Sequence, residues 1–165
     1  MLAQRFESKL GTETAEFLGG VQYQHGDGPT DPVYAGKIVG GLNRFLSYYG
    51  EYSYSRLYTD EVYPGPSIRV RGSLSDFGGG LEAHYGRHRV QPYVLAGIGS
   101  VRDSVKVSIG ADKSVSSSYH FGYSLGAGAR FFVVRNFGFL VEAKTVDAID
   151  IRRFDRYALG VFYRK

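Results

Sequence analysis

The sequence predicts an all-β protein, an eight-stranded antiparallel up-and-down transmembrane β-barrel. Three observations lead there. Eight strand-like runs follow one another along the 165 residues, most of them close to the ~9–11 residues of a tilted strand crossing a bilayer. Their connections alternate between long and short, the layout of a barrel with short turns on one side of a membrane and long loops on the other. Split by parity, seven of the eight runs carry one face without a charged residue, as lipid demands of alternate positions in a barrel wall.

Composition agrees with this fold. Glycine (23 residues), tyrosine (14) and phenylalanine (11) are abundant, a usage that favours strands and close packing. Cysteine is absent, which removes disulfides and thiolate metal sites. The longest apolar stretches, such as Phe131-Phe132-Val133-Val134, fall far short of the ~20 residues of a membrane-spanning helix. The net charge of +4 is spread along the chain and forms no nucleic-acid patch. The start, Met1-Leu2-Ala3-Gln4-Arg5, has no apolar signal core, so the chain reads as a mature exported form after signal-peptide removal.

The elements follow in order. The first run, 15–24, precedes a polar loop at 25–32. The second, 33–42, turns tightly at 43–45 into the third, 46–57, and a long loop follows that holds Tyr63-Pro64-Gly65-Pro66. The fourth, 74–85, ends in a turn at 86–89. After the fifth, 90–101, a stretch rich in Ser, Lys and Asp, 103–117, reads as a loop. The sixth, 118–133, turns at 134–136 into the seventh, 137–144; a charged loop at 147–155 leads to the eighth, 156–163. Residues 1–14 are expected to form an N-terminal periplasmic segment and 15–165 the barrel.

Parity then distinguishes membrane from water. Phe17, Val21 and Tyr23 oppose Glu16 and Gln22 in the first run; Tyr34 and Ile38 oppose Lys37 in the second. Tyr48, Tyr52 and Tyr54 oppose Glu51 and Ser53, and Phe77, Leu81 and Tyr85 oppose Asp76, Glu82 and His84. Phe121, Leu125 and Phe131 oppose His120, Ser124 and Arg130; Phe139 and Val141 oppose Glu142 and Lys144; Tyr157 and Leu159 oppose Arg156. The fifth run is apolar on both faces and parity does not orient it. A soluble barrel needs charges outside, whereas a Lys or Arg facing lipid at the midplane costs ~2–4 kcal/mol. Aromatics gather at the two ends of the runs, as membrane girdles do.

Three phrases, Phe77-Gly78-Gly79-Gly80-Leu81-Glu82, residues 90–99 (VQPYVLAGIG) and Leu125-Gly126-Ala127-Gly128-Ala129-Arg130, resemble the strand repeats of the OmpA-like outer-membrane β-barrel family. Residues 157–163 (YALGVFY) look like that family's terminal strand. The resemblance implies location in the bacterial outer membrane and contact with the barrel-insertion machinery during biogenesis. It leaves open whether the chain acts alone or as a subunit of a larger envelope assembly. One departure from the family is Arg164-Lys165 after the last aromatic.

The polar face gathers four acids, Glu16, Glu51, Glu82 and Glu142, and four bases, Lys37, Arg130, Lys144 and Arg156. Inside a narrow barrel they are expected to pair, because an unpaired buried ion costs several kcal/mol. This predicts a plugged, non-enzymatic barrel with a structural or surface-interaction role. One alternative is a narrow, low-conductance pore whose ion pairs exchange partners. Another is a lipid A-modifying enzyme built on His120, Ser124 and Glu142, which share the lumen face and the residue types of a hydrolytic triad. No cofactor or metal site is expected. Arg69, Arg71, Arg102, Lys106, Lys113, Arg152 and Arg153 are expected in or beside the long loops, where cations can contact lipopolysaccharide phosphates.

Overall fold

A computed structural model of the chain describes residues 11–24, 31–57, 68–85, 89–109, 112–149 and 153–165. Eight strands form one closed antiparallel barrel in sequence order, with the last strand paired to the first. They are β1 (Glu13–Gln24), β2 (Asp31–Gly41), β3 (Leu46–Leu57), β4 (Ile68–His84), β5 (Val90–Ile109), β6 (Asp112–Val134), β7 (Phe137–Ala148) and β8 (Phe154–Arg164). Closure pairs the backbone of each strand on both sides, which is what allows strands to stand in hydrocarbon at all.

Side chains alternate across the wall as parity predicts. Phe17, Ile38, Phe77 and Leu159 are each at least 67% exposed; apolar groups so open make sense against lipid and not against water. The lumen holds the ions together with three apolar clusters. Leu18, Phe132, Leu140, Ala158 and Phe162 pack toward the short-turn end, where Phe132 and Phe162 meet edge to face at 4.9 Å. Val39, Tyr49, Tyr93 and Leu95 form the middle cluster. Leu74, Val101, Val146, Ala148 and Phe154 cap the long-loop end. The fifth strand, left unoriented by its apolar sequence, turns Tyr93, Leu95 and Val101 inward and Val94 and Ile98 to lipid.

The strands are longer than their apolar cores. β4 begins at Ile68 instead of 74, β5 runs on to Ile109 instead of 101, and β6 begins at Asp112 instead of 118. The stretch 103–117, expected as a loop, is a hairpin paired from Asp103↔Ser118 to Ile109↔Asp112. Its Val105 and Val107 alternate with Ser and Lys; in water a strand needs no strongly apolar face, so its period is muted. Similarly, Asp31 and Pro32, read as loop, open β2, a position where proline's missing donor is harmless.

Inward-facing glycines make room for rings that lean over from neighbouring strands. A Cβ on Gly128 would lie 2.5 Å from both the Tyr93 ring and the Val141 carbonyl. Outward-facing Gly36 has nothing within 4 Å of that position. Gly128→Val should therefore cost about 1–3 kcal/mol and lower the temperature at which the heat-sensitive gel mobility of the folded barrel is lost. Gly36→Ala should stay within about 0.5 kcal/mol of the parent. Equal effects at the two sites would contradict the packing described.

Candidate functional site

Two regions concentrate polar chemistry: the lumen and the outer face of the long strands. In the lumen, Arg130 of β6 is the central cation. Its Nη1 and Nη2 donate to the two carboxylate oxygens of Glu82 at 2.6 and 2.7 Å, and its Nε donates to Glu16 at 2.5 Å. The guanidinium also stacks over the Tyr93 ring, 4.4 Å from its centroid. Lys37 of β2 bridges Glu16 at 2.9 Å and Glu142 of β7, while the Tyr93 hydroxyl donates to Glu142 at 2.8 Å. A bidentate guanidinium–carboxylate pair of this kind is the strong end of the hydrogen-bond scale.

Nearer the long-loop end lies a second cluster. Glu51 of β3 accepts from Lys144 at 3.0 Å and from Arg156 at 2.7 Å, and Arg156 also donates to Ser53 at 2.8 Å. All eight residues expected to pair in the lumen are buried and each meets at least one of the others. Sequence reasoning left out a ninth, Asp76, although its parity put it on the polar face. Its Oδ2 is 3.7 Å from Arg156 and 3.9 Å from Lys144, beyond direct hydrogen bonding. Asp76, Lys144, Ser124 and Tyr49 line a cavity of about 10 Å³ open to a water centre, room for roughly one water.

Toward the short-turn end a chain of polar groups running from Arg164 was also missed. Arg164 donates to Gln91 at 2.7 Å and to Thr14 at 3.2 Å, and His84 lies 3.0 Å from both Gln91 and Ser47. The departure from the family's terminal pattern is thereby explained: Arg164 turns into the barrel mouth, while Tyr163 still faces outward.

The hydrolytic set is not assembled. His120 and Ser124 stand four residues apart on one strand face, about 13 Å at the strand rise. Ser124 lies 3.4 Å from the Tyr49 hydroxyl, and Glu142 is engaged by Lys37 and Tyr93. Among the described residues, no group of three His, Asp or Glu side chains could hold a metal ion.

The cations expected in or beside the long loops mostly stand on the strand extensions that replace those loops. Arg71, Arg102 and Lys106 are exposed on the extensions of β4 and β5. Arg69 and Lys113 belong to β4 and β6 by backbone, and their side chains fall outside the described set, as does Arg152 entirely. Arg153 is exposed just before β8, 3.6 Å from Asp155.

The model of the outer membrane protein beta-barrel domain matches residues 4–164. The chain belongs to that family. No curated protein matches it. Among solved structures it is similar to Ail, the attachment invasion locus protein of Yersinia pestis, in complex with the heparin analogue sucrose octasulfate. That match has 17% identity and a TM-score of 0.70, over 94% of this chain and 99% of that one. Neisserial surface protein A matches at 16% and 0.67 over 92% and 95%. The N-terminal barrel of Pseudomonas aeruginosa OprF matches at 18% and 0.59 over 94% and 98%. These likenesses share the fold. The chain is an outer-membrane barrel, a class whose long-loop end faces the cell exterior.

The lumen geometry separates its two carboxylate environments. Arg130→Met leaves Glu16 without one partner and Glu82 without its bidentate one, and should cost about 3–5 kcal/mol in urea unfolding from lipid vesicles. Asp76→Asn, a change of nearly equal volume at a buried group with no ion contact closer than 3.7 Å, should cost about 1 kcal/mol, well below Arg130→Met. A cheap loss of Arg130 would mean that the pairing is incidental to stability.

Proposed function

We propose that this family member is a non-enzymatic barrel with a closed interior, whose role is structural or one of surface interaction. The observation that carries this reading is the lumen ion network. It joins β1 through Glu16, β2 through Lys37, β3 through Glu51, β4 through Glu82, β6 through Arg130, β7 through Glu142 and Lys144, and β8 through Arg156. An eight-stranded barrel has an interior just wide enough for side chains, and here those side chains hold one another from wall to wall.

A closed lumen leaves the outside of the barrel as its working surface. The separation of His120 from Ser124 supports a role without catalysis. The similarity to proteins named for attachment and for the neisserial surface is in keeping with this. In this reading the partners are outer-membrane lipid and lipopolysaccharide, the insertion machinery during biogenesis, and neighbouring subunits of an envelope assembly. The narrow pore draws on one observation, the cavity beside Asp76 and Lys144. Its size admits roughly one water, not a file of hydrated ions.

Planar-bilayer recording tests the reading. The folded chain should give no stable unitary conductance at either polarity. A reproducible open level would establish the pore instead. Lipid A recovered after incubation with the chain should keep its mass; acyl loss or gain would restore the enzyme reading.

A further inference from the structure

Above the aromatic belt, the three-stranded extension formed by β4, β5 and β6 carries an unusual outer face. Arg71 of β4 lies directly opposite Lys106 of β5. Both are exposed, and neither has an ion-pair partner among the described residues. Like charges directly opposite on one sheet face are destabilising, so this pair calls for an anion from outside the chain. Two residues closer to the membrane, Ser73, Ser104 and Ser117 form a row across the three strands, with Ser104 and Ser117 Oγ atoms 2.9 Å apart. Two residues further down stands Arg102, 3.3 Å from the Ser117 hydroxyl and over the ring of Tyr119 at 5.5 Å.

The result is a row of hydroxyls with cations above and below it. No acid interrupts this face among the described residues: Asp103, the nearest on these strands, alternates to the other side of the sheet. Among the described residues, outward carboxylates of the rim stand on β7 and β8, where Asp147 accepts from Tyr123 at 2.8 Å and Asp155 from Thr145 at 2.6 Å. That side also carries Arg153, 3.6 Å from Asp155, so its acids have partners within the chain, whereas Arg71 and Lys106 have none among the described residues.

Height decides which anion fits. Arg102 shares its row with Tyr54 and Tyr119, the level where barrel aromatics meet headgroups. Arg71 and Lys106 stand four residues further along, about 13 Å on the strand and ~10 Å in height at the usual tilt. A soluble anion has no reason to match a site that begins at the membrane interface. We propose that Arg102, Arg71 and Lys106, with the Ser73–Ser104–Ser117 row, bind phosphate groups of the lipopolysaccharide packed against β4–β6, anchoring it to one side of the barrel. Arg102 takes a phosphate at the lipid A level, and Arg71 with Lys106 takes one in the sugar region above. The proposal rests on the surface-interaction reading but uses none of the lumen, so a conductance result leaves it untouched.

The test titrates fluorescent lipopolysaccharide onto the folded full chain in detergent micelles, followed by anisotropy. The triple variant Arg71→Ser, Arg102→Ser, Lys106→Ser should bind at least ~10-fold more weakly. Wild type should lose a similar factor toward lipopolysaccharide stripped of its phosphates. Arg135→Ser, at the opposite end of the barrel, should bind like wild type. Heat-dependent gel mobility reports that each variant is folded, and the single change Lys106→Gln repeats the test with the sheet least disturbed. Wild-type affinity in the triple variant, or undiminished binding of the phosphate-free lipid, overturns the proposal. So does tight binding of heparin by this face without binding of lipopolysaccharide, which would assign it to a soluble polyanion.

Discussion

The structure depends on closure of the backbone hydrogen-bond ladder. In hydrocarbon no water is present to satisfy an exposed strand edge, so β8 must return to β1. Closure with eight strands then sets the interior at a width that side chains fill. The polar residues alternating inward have nowhere to go but toward one another. Their charge must balance because unpaired burial costs so much. Among the described residues, the nine ions that meet one another in the lumen, five acids and four bases once Asp76 is included, with Arg164 at the mouth, are a consequence of that geometry.

The same closure divides labour between the inside and the outside. Arg130, held by Glu16 and Glu82 and stacked on Tyr93, is committed to the wall-to-wall network. Cations beyond the bilayer are under no such obligation. Arg71 and Lys106 stand opposite each other without a carboxylate among the described residues, an arrangement the lumen would not tolerate and which water and external anions can accommodate. The barrel end facing the cell exterior is also where the strands outgrow the membrane, so exposed surface accumulates on β4, β5 and β6.

Legibility in the sequence followed the solvent. Inside the bilayer, lipid enforces a strict period of two, and Phe77, Leu81 and Leu125 announced the outer wall as clearly as Glu82 and Arg130 announced the inner one. Outside the bilayer that pressure vanishes, and residues 103–117 looked like a loop because serine and lysine blur the alternation that Val105 and Val107 preserve. β5 failed for a different reason: its inner face meets the apolar cluster of Val39 and Tyr49, so both sides are apolar. Asp76 was overlooked because its value depends on cations from β7 and β8 that the linear order keeps far away.

What the sequence by itself determined is the number of crossings, their alternation, the charge-free outer wall and the set of ions that must face inward. All of these are properties of single strands meeting lipid, and they are readable one strand at a time. Only the tertiary structure decided which ion meets which. Lys37 finds Glu142 across 105 residues of chain, and Arg156 finds Glu51 rather than a neighbour on its own hairpin. Those pairings follow from strand tilt and stagger in the closed barrel, which set heights and opposing walls that no stretch of sequence contains.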